Sequence, residues 1–146
     1  MSYTFRLKGL LKLVEQERDL RLREVQQVES YLELALAEIR LIWEEMERSQ
    51  NYFEDLAQRS PCTLALGQTL RHFQSQRDTL KNLLRLKLQL EEELSKRNAD
   101  LVTARRNVRR LEMLRERQLE QYQLDALAKQ QAGLDEFAIQ QFNRRS

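Results

Sequence analysis

The sequence predicts an all-α fold: two long helices closed into an antiparallel coiled-coil hairpin, the second helix longer than the first. Three observations predict it. An apolar stripe of period 3.5 runs from Leu7 to Leu56, the only proline is Pro61, and a second stripe after that proline matches the first in reverse order. Composition points the same way, because 146 residues with only 3 Gly, 1 Pro, 33% charged and 7% aromatic residues, at a mean hydropathy of −0.71, suit a narrow buried seam and not a compact core. We therefore expect a single hairpin domain over residues 1–146.

The first helix is expected over about residues 4–58. Alternating steps of four and three from Leu7 reach Leu11, Val14, Arg18, Arg21, Val25, Val28, Leu32, Ala35, Ile39, Ile42, Met46, Ser49, Phe53 and Leu56; only Arg18, Arg21 and Ser49 are not apolar. No Gly or Pro falls between Leu10 and Ser60 to break the helix. At Arg18 and Arg21 the stems can pack while the charged heads reach water, or the two can form a polar hinge or contact; such a layer also fixes register. The turn is expected at about residues 59–64, where Pro61 disfavours helix in the residue before it and suits a first helical turn, and Ser60 or Thr63 can cap the second helix.

The second helix is expected over about residues 65–142. It opens with Leu66, Leu70 and Phe73 and then takes in Leu80, Leu83, Lys87, Leu90, Leu94, Arg97, Leu101, Ala104, Val108 and Leu111, with Leu84, Leu86 and Leu88 widening the face near the turn. In a direct antiparallel pairing, facing residue numbers sum to roughly 122, which sets Ile42 near Leu80, Ile39 near Leu83, Leu32 near Leu90 and Val14 near Val108. Two long helices paired between chains would satisfy the same pattern. The arms are unequal, ~80 Å against ~110 Å at 1.5 Å per residue. The second arm should therefore overhang the first, exposing Tyr122, Leu124, Leu127, Leu134, Phe137, Ile139 and Phe142 to a partner.

Charge is uneven along the chain. The net charge is +2, but residues 29–93 carry 8 basic and 12 acidic side chains and the remainder 17 and 11. Between Lys96 and Arg117 eight basic residues face only Asp100, Glu112 and Glu116, so the two poles should prefer different partners. The run Arg105-Arg106-Asn107-Val108-Arg109-Arg110 can be a solvated flank, a protein contact or a phosphate contact; no interleaved aromatics mark a base-stacking surface, and no nucleic-acid partner is expected. Most carboxylates are expected on solvated faces in i,i+4 pairs: Glu17 with Arg21, Asp19 with Arg23, Glu44 with Arg48, Glu92 with Lys96.

Catalytic chemistry is not expected. His72 is the only histidine and Cys62 the only cysteine; they lie ten residues apart with no acidic third member to orient a base. Gly9, Gly67 and Gly133 are isolated and form no phosphate loop, and no His or Cys spacing suits a metal, so no enzyme activity and no cofactor are expected. One cysteine fits a reducing compartment, no apolar run approaches ~20 residues, and the N-terminus lacks the pattern of a secretory signal, so a cytoplasmic location is expected.

The second arm reads ARRNVRRLEMLRERQLEQYQLDALAKQQAGLDEFAIQQF. A basic segment leads into Leu111-Glu112, Leu114 and Glu116-Arg117, and further on comes Leu134-Asp135-Glu136-Phe137-Ala138. These segments resemble the C-terminal region of the flagellar export protein FliJ family, and the apolar start with Phe5, Leu7, Leu10 and Leu11, the turn position and the long second arm extend the resemblance to the whole chain. Stalk proteins of virulence-type secretion systems share the architecture, and a generic structural coiled-coil scaffold is the remaining alternative.

The resemblance implies a soluble coiled-coil stalk or coupling component of the flagellar type III export apparatus, peripheral at the cytoplasmic face of the basal body. It implies that the terminal pole enters the hexameric export ATPase like the γ subunit of a rotary ATPase, with Arg109, Arg110, Leu114, Arg117, Leu127 and Phe137 as contact candidates. It implies contact with the cytoplasmic part of the export-gate membrane protein through an aromatic surface near the turn, here Tyr52, Phe53 and Phe73, and with export chaperones. Arg77 stands where the family tends to have an apolar residue. A stalk of this kind should be a monomer when isolated, whereas a scaffold usually dimerises.

Overall fold

The computed structural model describes residues 3–59 and 63–145. Helix α1 spans Lys8–Arg59 and helix α2 spans Thr63–Arg145; they pack against each other, and no strand occurs among the described residues. The fold is all-α with the second helix the longer, 83 residues against 52. The expected turn centres on Ser60, Pro61 and Cys62, which lie outside the described residues. The chain forms two compact units, one of Arg21–Leu101 and one of Met1–Leu20 with Val102–Ser146.

In the Arg21–Leu101 unit, every seam position foreseen on α1, from Arg21 to Leu56, is buried or half-buried, and so is every one on α2 from Leu80 to Leu101. Ile39, Met46 and Leu80 form its core, with Ile42, Phe73 and Leu83 packed against them. Numbers that rise on one helix fall on the other, so the helices run antiparallel in the expected register. Near the start of α2 the seam differs from the expectation. Leu70 is half exposed, while Thr69 and Gln76 take the inward positions. Steps of three and four carry the seam from Leu66 through Thr69, Phe73 and Gln76 to Leu80 without a break; the apolar residues alone lead off this line. Leu84, Leu86 and Leu88 likewise stay exposed outside the seam.

Gln76 is only 6% exposed, and its Oε1 has no hydrogen-bond partner among the described residues. A buried acceptor left unmatched carries most of its desolvation cost. Gln76→Leu, close in volume and free of that acceptor, is expected to raise stability by ~1–2 kcal/mol, read as a higher midpoint in urea at unchanged slope.

The polar layer at Arg21 and Arg97 is a network and not a pair of loose heads. Arg21 Nη1 and Arg97 Nη1 both donate to Glu24 Oε2 at 3.1 Å, Arg97 Nε donates to Glu93 Oε1 at 2.7 Å, and Arg21 Nη1 lies 3.9 Å from Asp100. The hydrogen bond that Arg97 donates to Glu93 and the charges of Glu24 and Glu93 raise the pKa of the Arg97 guanidinium above its ordinary value, so it stays cationic. One carboxylate held from both helices favours a single register, although solvent access keeps the energy of each pair small. Arg18 instead pairs with its neighbour Asp19 at 3.2 Å.

In the unit of Met1–Leu20 with Val102–Ser146, Phe5, Leu11 and Val108 form the core, and Tyr3, Leu7, Val14, Leu111 and Leu114 pack on it. Residues 3–7 are not helical. They turn inward at Phe5, whose carbonyl accepts from Lys8 N at 3.2 Å. Tyr3 Oη donates to the Arg115 carbonyl at 3.3 Å, and its ring lies 5.6 Å from that of Tyr122. Beyond Tyr122 α2 continues as helix through Gly133 to Arg145, with almost every side chain exposed.

Candidate protein-contact surfaces

The terminal unit presents its candidate residues on two sides of α2. Leu114 is half-buried against the Phe5–Leu11–Val108 core, so it serves intrachain packing. Arg109, Arg110, Arg117, Leu127 and Phe137 are all exposed. Arg109 reaches Glu112 and Glu116 only at 3.7 and 3.6 Å, with its side chain 61% exposed, so water screens both pairs.

Successive residues of an α-helix turn by about 100°, which relates these side chains to one another. Leu124, Leu127, Leu134, Ala138 and Phe142 fall on one strip about 80° wide. Arg105, Arg106, Arg109, Arg110 and Arg117 fall within about 100° of the centre line through Leu127. Leu111, Leu114 and Tyr122, which face the first arm, lie about 140–160° from Leu127, on the opposite side. The apolar strip is therefore not a continuation of the intrachain seam. A longer first helix in the same register would leave it bare, so the strip is open apolar surface in the isolated chain. Phe137 borders the strip on one side and Ile139 on the other; Phe142 on the strip itself is 74% exposed.

In the Arg21–Leu101 unit the three aromatic candidates do not form one patch. Phe53 and Phe73, both half-buried, line a cavity of about 260 Å³ with Ser49, Gln50, Thr69 and Leu70. Tyr52 is exposed and lines a second depression with Arg48, Gln68 and His72, which shares Ser49 and Thr69 with that cavity but neither phenylalanine. Phe73 and Gln50 also line a larger cavity, about 550 Å³, with Leu36, Trp43, Met46 and Glu47 among its walls. The two cavities meet at Phe73 and Gln50 and make one groove from Trp43 to Phe53.

Trp43 is the residue that sequence reasoning missed. It is the only tryptophan and lies off the seam, yet it is large and 56% exposed. Its place off the seam is readable in the sequence, and Trp is enriched among the residues that carry protein contacts. Among the described residues, no group of three or more His, Cys, Asp or Glu could hold a metal ion, and no helix is long and apolar enough to cross a membrane.

Residues 3–146 match the sequence model of a family described as "Flagellar FliJ protein". The chain is also similar to the Flagellar FliJ protein of Bacillus subtilis (strain 168), 27% identical over 149 residues that cover 97% of each chain. No solved structure matches.

Proposed function

The chain belongs to the FliJ family of flagellar proteins, and from that premise we propose that it is the coiled-coil stalk of the flagellar type III export apparatus, joining the export ATPase to the export gate. The observation that carries this reading is the outward face of α2 in the terminal unit, basic from Arg105 to Arg117 and apolar from Leu124 to Phe142. Such a face suits a ring of subunits that offers acidic and carbonyl-rich loops at its mouth and apolar surface inside. Arg109, Arg110 and Arg117 meet the first, and Leu127 and Phe137 meet the second. Leu114 acts indirectly, by holding α2 against Phe5 and Leu11. In the other unit, the groove of Trp43, Phe73 and Phe53 is the contact for the cytoplasmic part of the export gate. The isolated chain is a monomer in this reading, and it works at the cytoplasmic face of the basal body, where it also meets export chaperones.

The test is the rate of ATP hydrolysis by the purified flagellar export ATPase with and without the full chain. The chain should stimulate hydrolysis. The double variant Arg109→Glu, Arg110→Glu should need roughly tenfold more protein for the same stimulation at low salt, a gap that narrows above ~0.1 M salt, where the Debye length falls to ~10 Å. No stimulation by the unaltered chain would overturn the reading.

A further inference from the structure

Helix α1 carries a second stripe that the seam does not use. Leu34 and Leu41 sit seven residues apart, 63% and 57% exposed, and Tyr31 stands one turn before Leu34, half exposed. Across the gap, exposed Leu86 of α2 joins them, and the six side chains of Tyr31, Leu34, Ala35, Glu38, Leu86 and Leu90 enclose an open cavity of about 320 Å³. Its floor is the small, buried Ala35, which leaves room for a bulky side chain to enter between the helices. This groove shares no residue with the groove of Trp43, Phe53 and Phe73.

A helix with apolar residues at heptad spacing on two separate faces is built for two neighbours, since each stripe is a row of knobs for a facing helix. One neighbour is α2. We propose that the groove of Tyr31, Leu34 and Leu86, extended along the same stripe by Leu41, receives a third helix from another protein, one whose apolar stripe is flanked by Lys and Arg. Charge selects that occupant. Glu38 lines the groove, Glu45 stands two turns further on, and neither enters an ion pair among the described residues. The surrounding residues 29–93 carry 12 acidic and 8 basic side chains. A second copy of the chain is the poorer occupant, because a twofold contact through this face would set Glu38 and Glu45 against their own copies. Basic flanks on the incoming helix pair with these carboxylates, while its Leu side chains fill the space above Ala35.

The experiment uses two labelled synthetic helices of about 25 residues with the same Leu stripe, one flanked by Lys and Arg and the other by Glu, titrated by fluorescence anisotropy against the full chain. The basic helix should bind at least about tenfold more tightly than the acidic one, and less tightly as salt rises. Leu34→Gln with Leu41→Gln should weaken it by about tenfold or more, and Glu38→Lys with Glu45→Lys should invert the preference between the two helices. All four positions are exposed, so circular dichroism should show the fold intact. Trp43→Ala, on the other groove, should leave binding unchanged. Equal binding of both helices would overturn the proposal, as would loss with Trp43→Ala but not with the Leu34 and Leu41 pair. A chain mass twice 17.6 kDa that returns to 17.6 kDa in the Leu34 and Leu41 variant would overturn it in favour of self-association. No arm involves the ATPase, so the result stands apart from that of the stalk reading.

Discussion

Ile39→Asp is expected to cost ~3–5 kcal/mol of folding stability and to lower the thermal midpoint by about 10 °C or more. Ile39 is 8% exposed and belongs to the cluster of Met46 and Leu80, with Leu83 and Ile42 around it. A carboxylate there replaces apolar contacts on both helices at once, and the half-buried seam cation Lys87 already pairs with Glu91 at 3.8 Å. A small α-helical domain holds only ~5–15 kcal/mol in total, so this one change removes a large share. The cost should shrink as pH falls, because burial raises the pKa of the new carboxyl and the neutral form is the better tolerated. Leu41→Asp is the control. Leu41 lies two residues along the same helix but points outward, and there the change should stay within about 0.5 kcal/mol. Melts monitored by circular dichroism at 222 nm decide it: equal midpoints for the two variants would mean that the inward face of α1 is misassigned.

The contrast between Ile39 and Leu41 also shows what could be read from sequence and why. A coiled-coil seam is the one feature whose position follows from spacing alone, since period 3.5 is independent of what the partner looks like. Hence Val25, Ala35, Ile39, Leu80, Leu101 and Val108 were foreseen as inward, and all are buried. Spacing also kept Arg18, Arg21 and Arg97 in the frame despite their charge. It failed where residue type was allowed to override it. At the start of α2 the apolar Leu70 leads off the frame, whereas Thr69 and the polar Gln76 hold the inward positions.

The contact surfaces were less legible for a different reason. They depend on which off-seam residues share a flank across two helices, and a linear stripe does not show that. Tyr52, Phe53 and Phe73 are close in the pairing register, yet Phe53 and Phe73 share a cavity while Tyr52 lines a second depression. Phe73 also lines a cavity with Trp43, thirty residues earlier. Similarly, Leu114 looks in sequence like part of the exposed basic and apolar segment, but its helical phase turns it toward Phe5 and Leu11. Leu127 faces outward because the apolar strip past Tyr122 has rotated off the seam; Phe137 lies off the strip, about 20° in helical phase from Val108, and is exposed as well.

That rotation separates stability from function in the terminal unit, and deleting residues 123–146 exploits it. The core of the unit, Phe5, Leu11 and Val108 with Tyr3, Leu7, Val14, Leu111 and Leu114, lies wholly before the cut, as does the contact of Tyr3 with Tyr122. The deleted segment buries almost nothing, since Leu124, Leu127, Leu134, Phe137, Ile139 and Phe142 are each at least 60% exposed. The thermal midpoint of the truncated chain should therefore stay within a few degrees of the full chain, a shift worth about 1 kcal/mol. Helical signal should fall only by the residues removed. Function should fall much further. If the apolar strip is what the export ATPase grips, the truncated chain keeps Arg109, Arg110 and Arg117 but loses every large apolar side chain of the strip. It should then bind weakly through charge and fail to stimulate ATP hydrolysis at any salt concentration. This differs from charge reversal at Arg109 and Arg110, where high salt narrows the defect. A truncated chain that stimulates as well as the full one would remove the strip from the mechanism and leave the basic run as the only contact at this end.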